Sequence, residues 1–162
     1  MPFLEPCEDK KILIGQLIVT GIWAVITGVG IYLSPSVHGH GTHQQLGLPP
    51  CPSVLLFNRP CPGCGLTTSW TATIHGNLPQ AFSAHPLGPL LYLALTTFAV
   101  INLYAYIKRL RVDTSGRKWM VGIVASGVVF FGFGLARFFL TDNYAAPNEM
   151  ANFLKRVAPD KK

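Results

Sequence analysis

Long apolar runs alternate with polar segments along this chain, and three of the runs are long enough to cross a membrane. They cover residues 12–33, 87–107 and 119–140. At about 1.5 Å per residue, a helix of about 20 residues spans a hydrocarbon core about 30 Å thick. The pattern therefore predicts three transmembrane helices.

The segment 34–86, between the first two runs, has the pattern of a loop that contains short helices. A helical stretch begins just after Cys61-x-x-Cys64 and is closed by Gly76. Asn77 and Gln80 then have the spacing of a capping box, which marks the start of another short helix.

The segment after the third run repeats apolar residues at helical spacing, which predicts a short amphipathic helix over residues 147–158. The apolar positions are Met150, Phe153, Leu154 and Val157. The predicted fold class is therefore an all-α membrane protein. It is organised as a single membrane domain over residues 1–162, with three transmembrane helices, a loop 34–86 and an amphipathic tail.

Composition and charge support a membrane location. Hydrophobic residues make up 49% of the chain and charged residues 12%, a balance that does not suit a soluble surface. The net charge of +6 would attract nucleic acid, but the basic residues gather near the ends of the apolar runs. We therefore expect a lipid bilayer as the partner and no nucleic acid.

The distribution of Lys and Arg predicts the orientation in the membrane. Five basic residues lie in the segment 108–118, whereas the segment 34–85 contains Arg59 alone. The positive-inside rule then places the N-terminus and segment 108–118 in the cytoplasm, and loop 34–86 on the periplasmic or external side. Arg137, near the outer end of the third run, could meet a charged partner inside the helix bundle or snorkel towards the lipid headgroups, and its shallow position favours snorkelling.

The residues that bear chemistry are concentrated in the loop 34–86. It holds three of the four cysteines and all five histidines, but neither Asp nor Glu. The Cys61-x-x-Cys64 pair precedes a helix, where backbone N–H groups and the helix dipole favour a thiolate. This arrangement suits either metal binding or redox exchange. The chain has no phosphate-binding loop, nucleophile elbow or His-Glu-x-x-His pair, so no catalytic residues are predicted.

Three interpretations of these cysteines remain open. The first is a metal site that uses Cys51, Cys61 and Cys64 with His43, a set of three sulfurs and one nitrogen that suits tetrahedral zinc. The second is a disulfide among the cysteines, expected if the loop faces an oxidising compartment. The third is a reactive dithiol, Cys61-x-x-Cys64, that exchanges with partner proteins.

Two further histidines, His38 and His40, precede this candidate set in a glycine-rich segment. Neutral imidazole is a common ligand for zinc, copper and nickel, so both are possible metal ligands by residue type. Exposed histidines in flexible loops also occur without any metal role. The role of this segment is therefore left open.

The segment from Pro60 to Ser69 (PCPGCGLTTS), followed by Gly76-Asn77-Leu78 and His85-Pro86-Leu87, resembles domain-of-unknown-function family 2752. These are small bacterial membrane proteins with a C-P-x-C-G-x-T motif. The resemblance covers roughly residues 43–107 and implies a location in the bacterial inner membrane, with no activity attached. Many members have an arginine where this chain has Thr68. The segment that leads to Cys51 resembles a subset of members, which adds weight to Cys51 and His43.

Two hypotheses for the function follow. The first is a non-catalytic accessory or assembly subunit of a membrane complex, with a structural Cys/His site in its external loop. Two pairs of small residues spaced for close helix packing motivate it, Ala24-x-x-x-Gly28 and Gly122-x-x-x-Ser126. The alternative is a membrane thiol-disulfide or metal-handling protein that uses Cys61-x-x-Cys64.

Overall fold

The computed structural model describes residues 4–144 and Lys155. In chain order the elements are β1 (Leu4–Pro6), α1 (Lys10–Tyr32), a 3₁₀ helix (Thr42–Leu46), α2 (Pro52–Phe57), α3 (Leu66–Ile74), α4 (Leu78–Ala84), α5 (Gly88–Lys108), β2 (Leu110–Val112) and α6 (Arg117–Leu140). The amphipathic helix predicted over residues 147–158 lies outside the described residues.

The three long helices α1, α5 and α6 are each long and apolar enough to cross a membrane. Their ends lie within about two residues of the predicted boundaries, which is the usual uncertainty of a helix end. The prediction of a mostly helical protein with three membrane spans is therefore confirmed.

Helices α1 and α5 pack against each other in antiparallel fashion along much of their length. Side-chain hydrogen bonds cross the contact, including one from Trp23 Nε1 to Thr96 Oγ1 at 3.1 Å and one between the hydroxyls of Thr27 and Tyr92 at 3.1 Å. Such bonds between membrane helices contribute about 0.6 kcal/mol each. They fix the register of α1 against α5.

Helix α6 stands apart from this pair. It does not pack closely against α1 or α5 along its length, although Trp119 near its start reaches the ring of Phe98 on α5, with 6.3 Å between ring centroids. A Cβ added at Gly28 or at Gly122 would meet nothing within 4 Å. The small-residue pairs that contain these glycines therefore face no other helix of this chain in the part that the structure describes.

A short antiparallel ribbon of β1 and β2, with Leu4 opposite Val112, was missing from the all-α prediction. Strands of three residues are too short to show a two-residue periodicity in the sequence. Arg111 and Glu5 form an ion pair across the ribbon, with 3.2 Å between Arg111 Nη2 and Glu5 Oε2. The ribbon places the start of the chain and the segment after α5 at the same end of the molecule.

At the opposite end, residues 33–87 fold into what we call the cap. It contains the 3₁₀ helix and the short helices α2, α3 and α4, and it connects α1 to α5. The Asn77 side chain accepts a hydrogen bond from the backbone N–H of Gln80, so the predicted capping of α4 is confirmed. Helix α3 is the centre of the cap, with Thr68, Ser69 and Thr71 almost fully buried.

Candidate metal centre

Cys51, Cys61 and Cys64 meet in the cap, with their Sγ atoms all within 4.8 Å of one another. Cys51 and Cys61 are half-buried, Cys64 is buried, and all three are free thiols. Cys7 is at the other end of the molecule, where its N–H donates to the carbonyl of Arg109 in the segment that leads into β2. The structure thus separates Cys7 from a group of three cysteines that could hold a metal ion.

Cys51 is positioned by the prolines on either side of it. Pro50 and Pro52 confine the chain to an extended path, and Cys51 has φ −60° and ψ 127° immediately before α2. Its carbonyl accepts hydrogen bonds from the N–H groups of Val54 and Leu55, which start the helix. The cysteine side chain therefore projects from a stiff corner.

Cys61 and Cys64 share one turn just before α3. The N–H of Cys64 donates to the carbonyl of Cys61 at 3.0 Å. The chain then enters α3 through Gly65, which has φ +87°, a conformation that costs other residues about 1–2 kcal/mol. A Cβ at this position would also collide with the carbonyl of Ala84. Glycine is therefore required for the turn to place both thiols beside Cys51.

The thiols of the group differ in their proton affinity. Burial raises the pKa of Cys51, but hydrogen bonds from the Cys64 thiol and from the backbone N–H of Val54 outweigh this effect, so its pKa is below the usual 9.0. Burial raises the pKa of Cys64 above the same reference, and its hydrogen bond with Cys61 adds to the rise. Of these two thiols, Cys51 is therefore the one that loses its proton more readily.

The spacing of the sulfurs fits a tetrahedral metal. Zn–S bonds of about 2.3 Å in tetrahedral geometry place two sulfurs about 3.8 Å apart. The three Sγ atoms lie within 4.8 Å of one another, so the closure needed is about 1 Å at most.

The histidines that were possible ligands do not join the three cysteines. The group within 4.8 Å contains only sulfurs. His43 Nε2–H donates to the carbonyl of Pro49 at 3.2 Å, and His40 Nδ1–H donates to the carbonyl of His38 at 3.0 Å. His40 is buried and stacks on Tyr144 with 4.6 Å between ring centroids, whereas His38 is exposed.

A cavity of about 410 Å³ adjoins the cysteine group. Its walls include all three cysteines together with His40 and His43. Most of the other lining residues are apolar residues and glycines, and they include Leu48 and three prolines. The thiols therefore face a space large enough to admit a small molecule.

Arg137 supports the turn that carries Cys61 and Cys64, so the prediction that it snorkels to the headgroups is wrong. Its guanidinium donates to the carbonyl of Cys64 at 3.1 Å and to that of Ala84 at 3.4 Å. It also lies over the rings of Phe133 and Tyr144, with 5.9 and 5.7 Å to their centroids. Both carbonyls belong to the cap, so the guanidinium is bound within the protein.

His85 supports the same turn from a buried position. Its Nε2–H donates to the carbonyl of Pro62 at 3.1 Å, and its ring packs against Phe130 and Phe133 of α6. Burial lowers the pKa of His85 below its usual 6.5 and outweighs the opposing effect of the Pro62 hydrogen bond, and the charge of Arg137 lowers the pKa further. The ring is therefore neutral at pH 7.

Sequence reasoning also missed a buried hydroxyl pair. The Thr42 and Thr68 hydroxyls are 2.8 Å apart, and both residues are almost completely buried. This bond joins the 3₁₀ helix to α3 behind the cysteine group. Thr68 is thus a buried packing position in this chain.

The fold and the cysteine group together define the class of protein. It has three helices fit to span a membrane and, at one end of them, a cap whose three cysteines could hold a metal ion. Residues 51–99 match the model of a family described as "Protein of unknown function (DUF2752)", consistent with the resemblance seen in the sequence. The matched segment includes all three cysteines. Comparisons with curated proteins and with solved structures gave no match.

Proposed function

We propose that this integral membrane protein binds one zinc ion through Cys51, Cys61 and Cys64. The observation that carries the proposal is the meeting of three thiols within 4.8 Å. Loop 34–86 has no carboxylate that would attract a harder cation such as Mg²⁺ or Ca²⁺. Thiolate ligands select zinc and other soft metals.

The metal has a structural task in this proposal. It joins the start of α2 to the turn before α3, and so links two segments of a cap that is rich in proline and glycine. Small folded units with little apolar core often depend on such a metal link. Because a preformed site is rare in an unfolded chain, metal binding adds directly to the stability of the folded cap.

His43 is the fourth ligand that the sequence proposes. It lines the cavity beside the thiols, but its Nε2–H is engaged with the carbonyl of Pro49 at 3.2 Å. Direct ligation therefore requires the imidazole to turn away from that carbonyl or to use its other nitrogen. The variant His43→Ala tests this role through its effect on metal affinity.

Metal analysis of the full chain, purified in detergent, tests the proposal when it is combined with thiol counting. We expect about one zinc per chain and protection of three thiols from alkylation. The variants Cys51→Ser, Cys61→Ser and Cys64→Ser should each lose the metal. Cys7→Ser is the matched control and should retain it. Three freely alkylated thiols in the folded protein, with no metal bound, would refute the proposal.

The orientation that we propose places the cap on the external side and the basic segment 108–118 in the cytoplasm of a bacterial cell. The count of Lys and Arg supports this orientation. The β1–β2 ribbon supports one part of it, because it requires the start of the chain and the segment after α5 to share one side, whichever side that is.

The wider role that we propose is that of an accessory or assembly subunit of a membrane complex. Support comes from α6, which has little contact with α1 or α5 and carries the small-residue pair Gly122 and Ser126, a spacing that lets another helix approach closely. Purification in mild detergent followed by native mass spectrometry tests this role. Co-purification of a defined membrane partner is expected, and a solitary monomer would count against it.

The second candidate function is thiol-disulfide exchange. The Cys61-x-x-Cys64 turn before a helix is suited to it, and Cys51 places a third sulfur within 4.8 Å. A dithiol that titrates with a reversible redox couple, in protein that binds no metal, would favour this function over a zinc site.

A further inference from the structure

The three cysteines supply three ligands, whereas tetrahedral zinc takes four. In structural zinc sites the protein provides all four ligands, and in catalytic sites one position is left for water or substrate. Among the described residues, the candidate ligand group contains three sulfurs and no nitrogen or oxygen ligand. With the described residues alone, the fourth position is filled either by a rearrangement of the cap or by a ligand that is not one of them.

Both histidines at the cavity wall are held by backbone carbonyls. His43 donates to Pro49, and His40 donates to His38 while its ring stacks on Tyr144. Each ring has a second nitrogen, but neither histidine belongs to the group of ligand atoms that lie within 4.8 Å of one another, so either ring would have to move to reach the metal. The cavity of about 410 Å³ is already open beside the sulfurs, so an external ligand reaches the metal without such a change.

The charge around the site indicates what kind of ligand fits. Zn²⁺ with three thiolates carries a single net negative charge. One guanidinium, that of Arg137, lies on the α6 side of the turn and donates to the carbonyl of Cys64. Among the described residues, Arg137 has no carboxylate partner, so its charge balances that of the metal group. A neutral fourth ligand preserves this balance, and an anionic one disturbs it.

We propose that the metal keeps an exchangeable fourth position that faces the cavity and takes a small neutral donor. Water fills it at rest, and a neutral nitrogen ligand of the imidazole type replaces the water. This inference rests on the proposed metal site and extends it: the site is open to a ligand from outside the chain and is not closed by His43.

Cobalt substitution tests this proposal, because the visible spectrum of Co²⁺ reports its ligands. The full chain in detergent is loaded with Co²⁺ alone and titrated with imidazole. We expect thiolate-to-cobalt charge-transfer bands before the titration. We further expect a saturable shift of the d–d bands on addition of imidazole, with the charge-transfer bands retained. The variant His43→Gln, which keeps a donor for the Pro49 carbonyl, should respond in the same way as the natural chain.

Two variants test whether the cavity provides the access. Leu48 lines the cavity and is half exposed, so Leu48→Trp should fill the space and abolish the shift while the charge-transfer bands remain. Leu46 is equally exposed but does not line the cavity, so Leu46→Trp is the matched control and should keep the shift.

The outcomes separate the two proposals. Absence of charge-transfer bands overturns the metal site itself. Charge-transfer bands with d–d bands that do not respond to imidazole overturn the open position and leave the metal site intact. A response that appears only in His43→Gln identifies His43 as the fourth ligand, and this also overturns the open position.

Discussion

A single methyl group at residue 134 should disturb the metal-binding turn from within the membrane helix. A Cβ added at Gly134 would lie 2.8 Å from Pro62 Cγ and closer still to its Cα and Cβ. Carbon atoms pack best at about 3.5–4.0 Å, so Pro62 would have to move by about 1 Å or more. Pro62 lies between Cys61 and Cys64, and its displacement shifts the sulfurs.

The matched control for Gly134→Ala is Gly132→Ala, in the same helix and two residues away. A Cβ at Gly132 would meet nothing within 4 Å. Both substitutions gain about 1 kcal/mol of helix propensity, whereas overpacking costs about 1–3 kcal/mol at Gly134 alone. The free energy of unfolding should therefore differ between the two variants by about 1–3 kcal/mol, with Gly134→Ala the less stable.

Two measurements on the protein in detergent check this prediction. Thermal unfolding compares the stability of the variants, and competition with a metal chelator compares their zinc affinity. Because 1.4 kcal/mol corresponds to a factor of ten, we expect Gly134→Ala to bind zinc about 5 to 150 times more weakly than Gly132→Ala if the whole strain falls on the site. Equal melting temperatures for the two variants would show that α6 does not press on the Pro62 turn.

Three further predictions concern the supports of the cap and its side of the membrane. Arg137→Met should lower the free energy of unfolding by about 2–4 kcal/mol, because two cap carbonyls lose a charged donor. Arg59→Met removes a partly exposed ion pair with Asp142 and a hydrogen bond to the carbonyl of Phe138, and should cost less, about 1–2 kcal/mol. Equal losses in thermal unfolding would contradict the role of Arg137. The pKa of His85 is lower in the folded protein than its usual 6.5, so below that pH the unfolded chain takes up the proton more readily and stability should fall. Melting curves between pH 5 and pH 8 should show this fall, and it should be smaller in His85→Gln but unchanged in His38→Gln. Finally, topology reporters fused after residue 77 and after residue 115 should report external and cytoplasmic locations respectively, and a cytoplasmic signal from the first fusion would reverse the proposed orientation.

The membrane helices could be predicted because hydrophobicity over about 20 residues is a local property of the sequence. The same holds for the start of α4, where Asn77 and Gln80 are three residues apart and interact through local geometry alone. These features depend little on the rest of the fold. They were therefore predicted correctly by reading short segments one at a time.

The surroundings of the metal site could not be obtained in this way. Arg137 looked like a residue that snorkels because its partners, the carbonyls of Cys64 and Ala84, are distant in sequence and carry no side-chain signal. Spacing likewise gave no reason to connect Gly134 with Pro62. Such contacts depend on how α6 meets the cap, which is a property of the packed molecule.

The ribbon of β1 and β2 has a consequence for the order of events during biosynthesis. Glu5 and Arg111, which face each other across it, are 106 residues apart in the sequence. The ribbon therefore cannot form until α1 and α5 have both been synthesised and segment 110–112 has left the ribosome. Contacts of such long range form late because the chain must first close a large loop. Until then the segment before α1 has no strand partner, and pairing of the two strands ties it to the segment that follows α5.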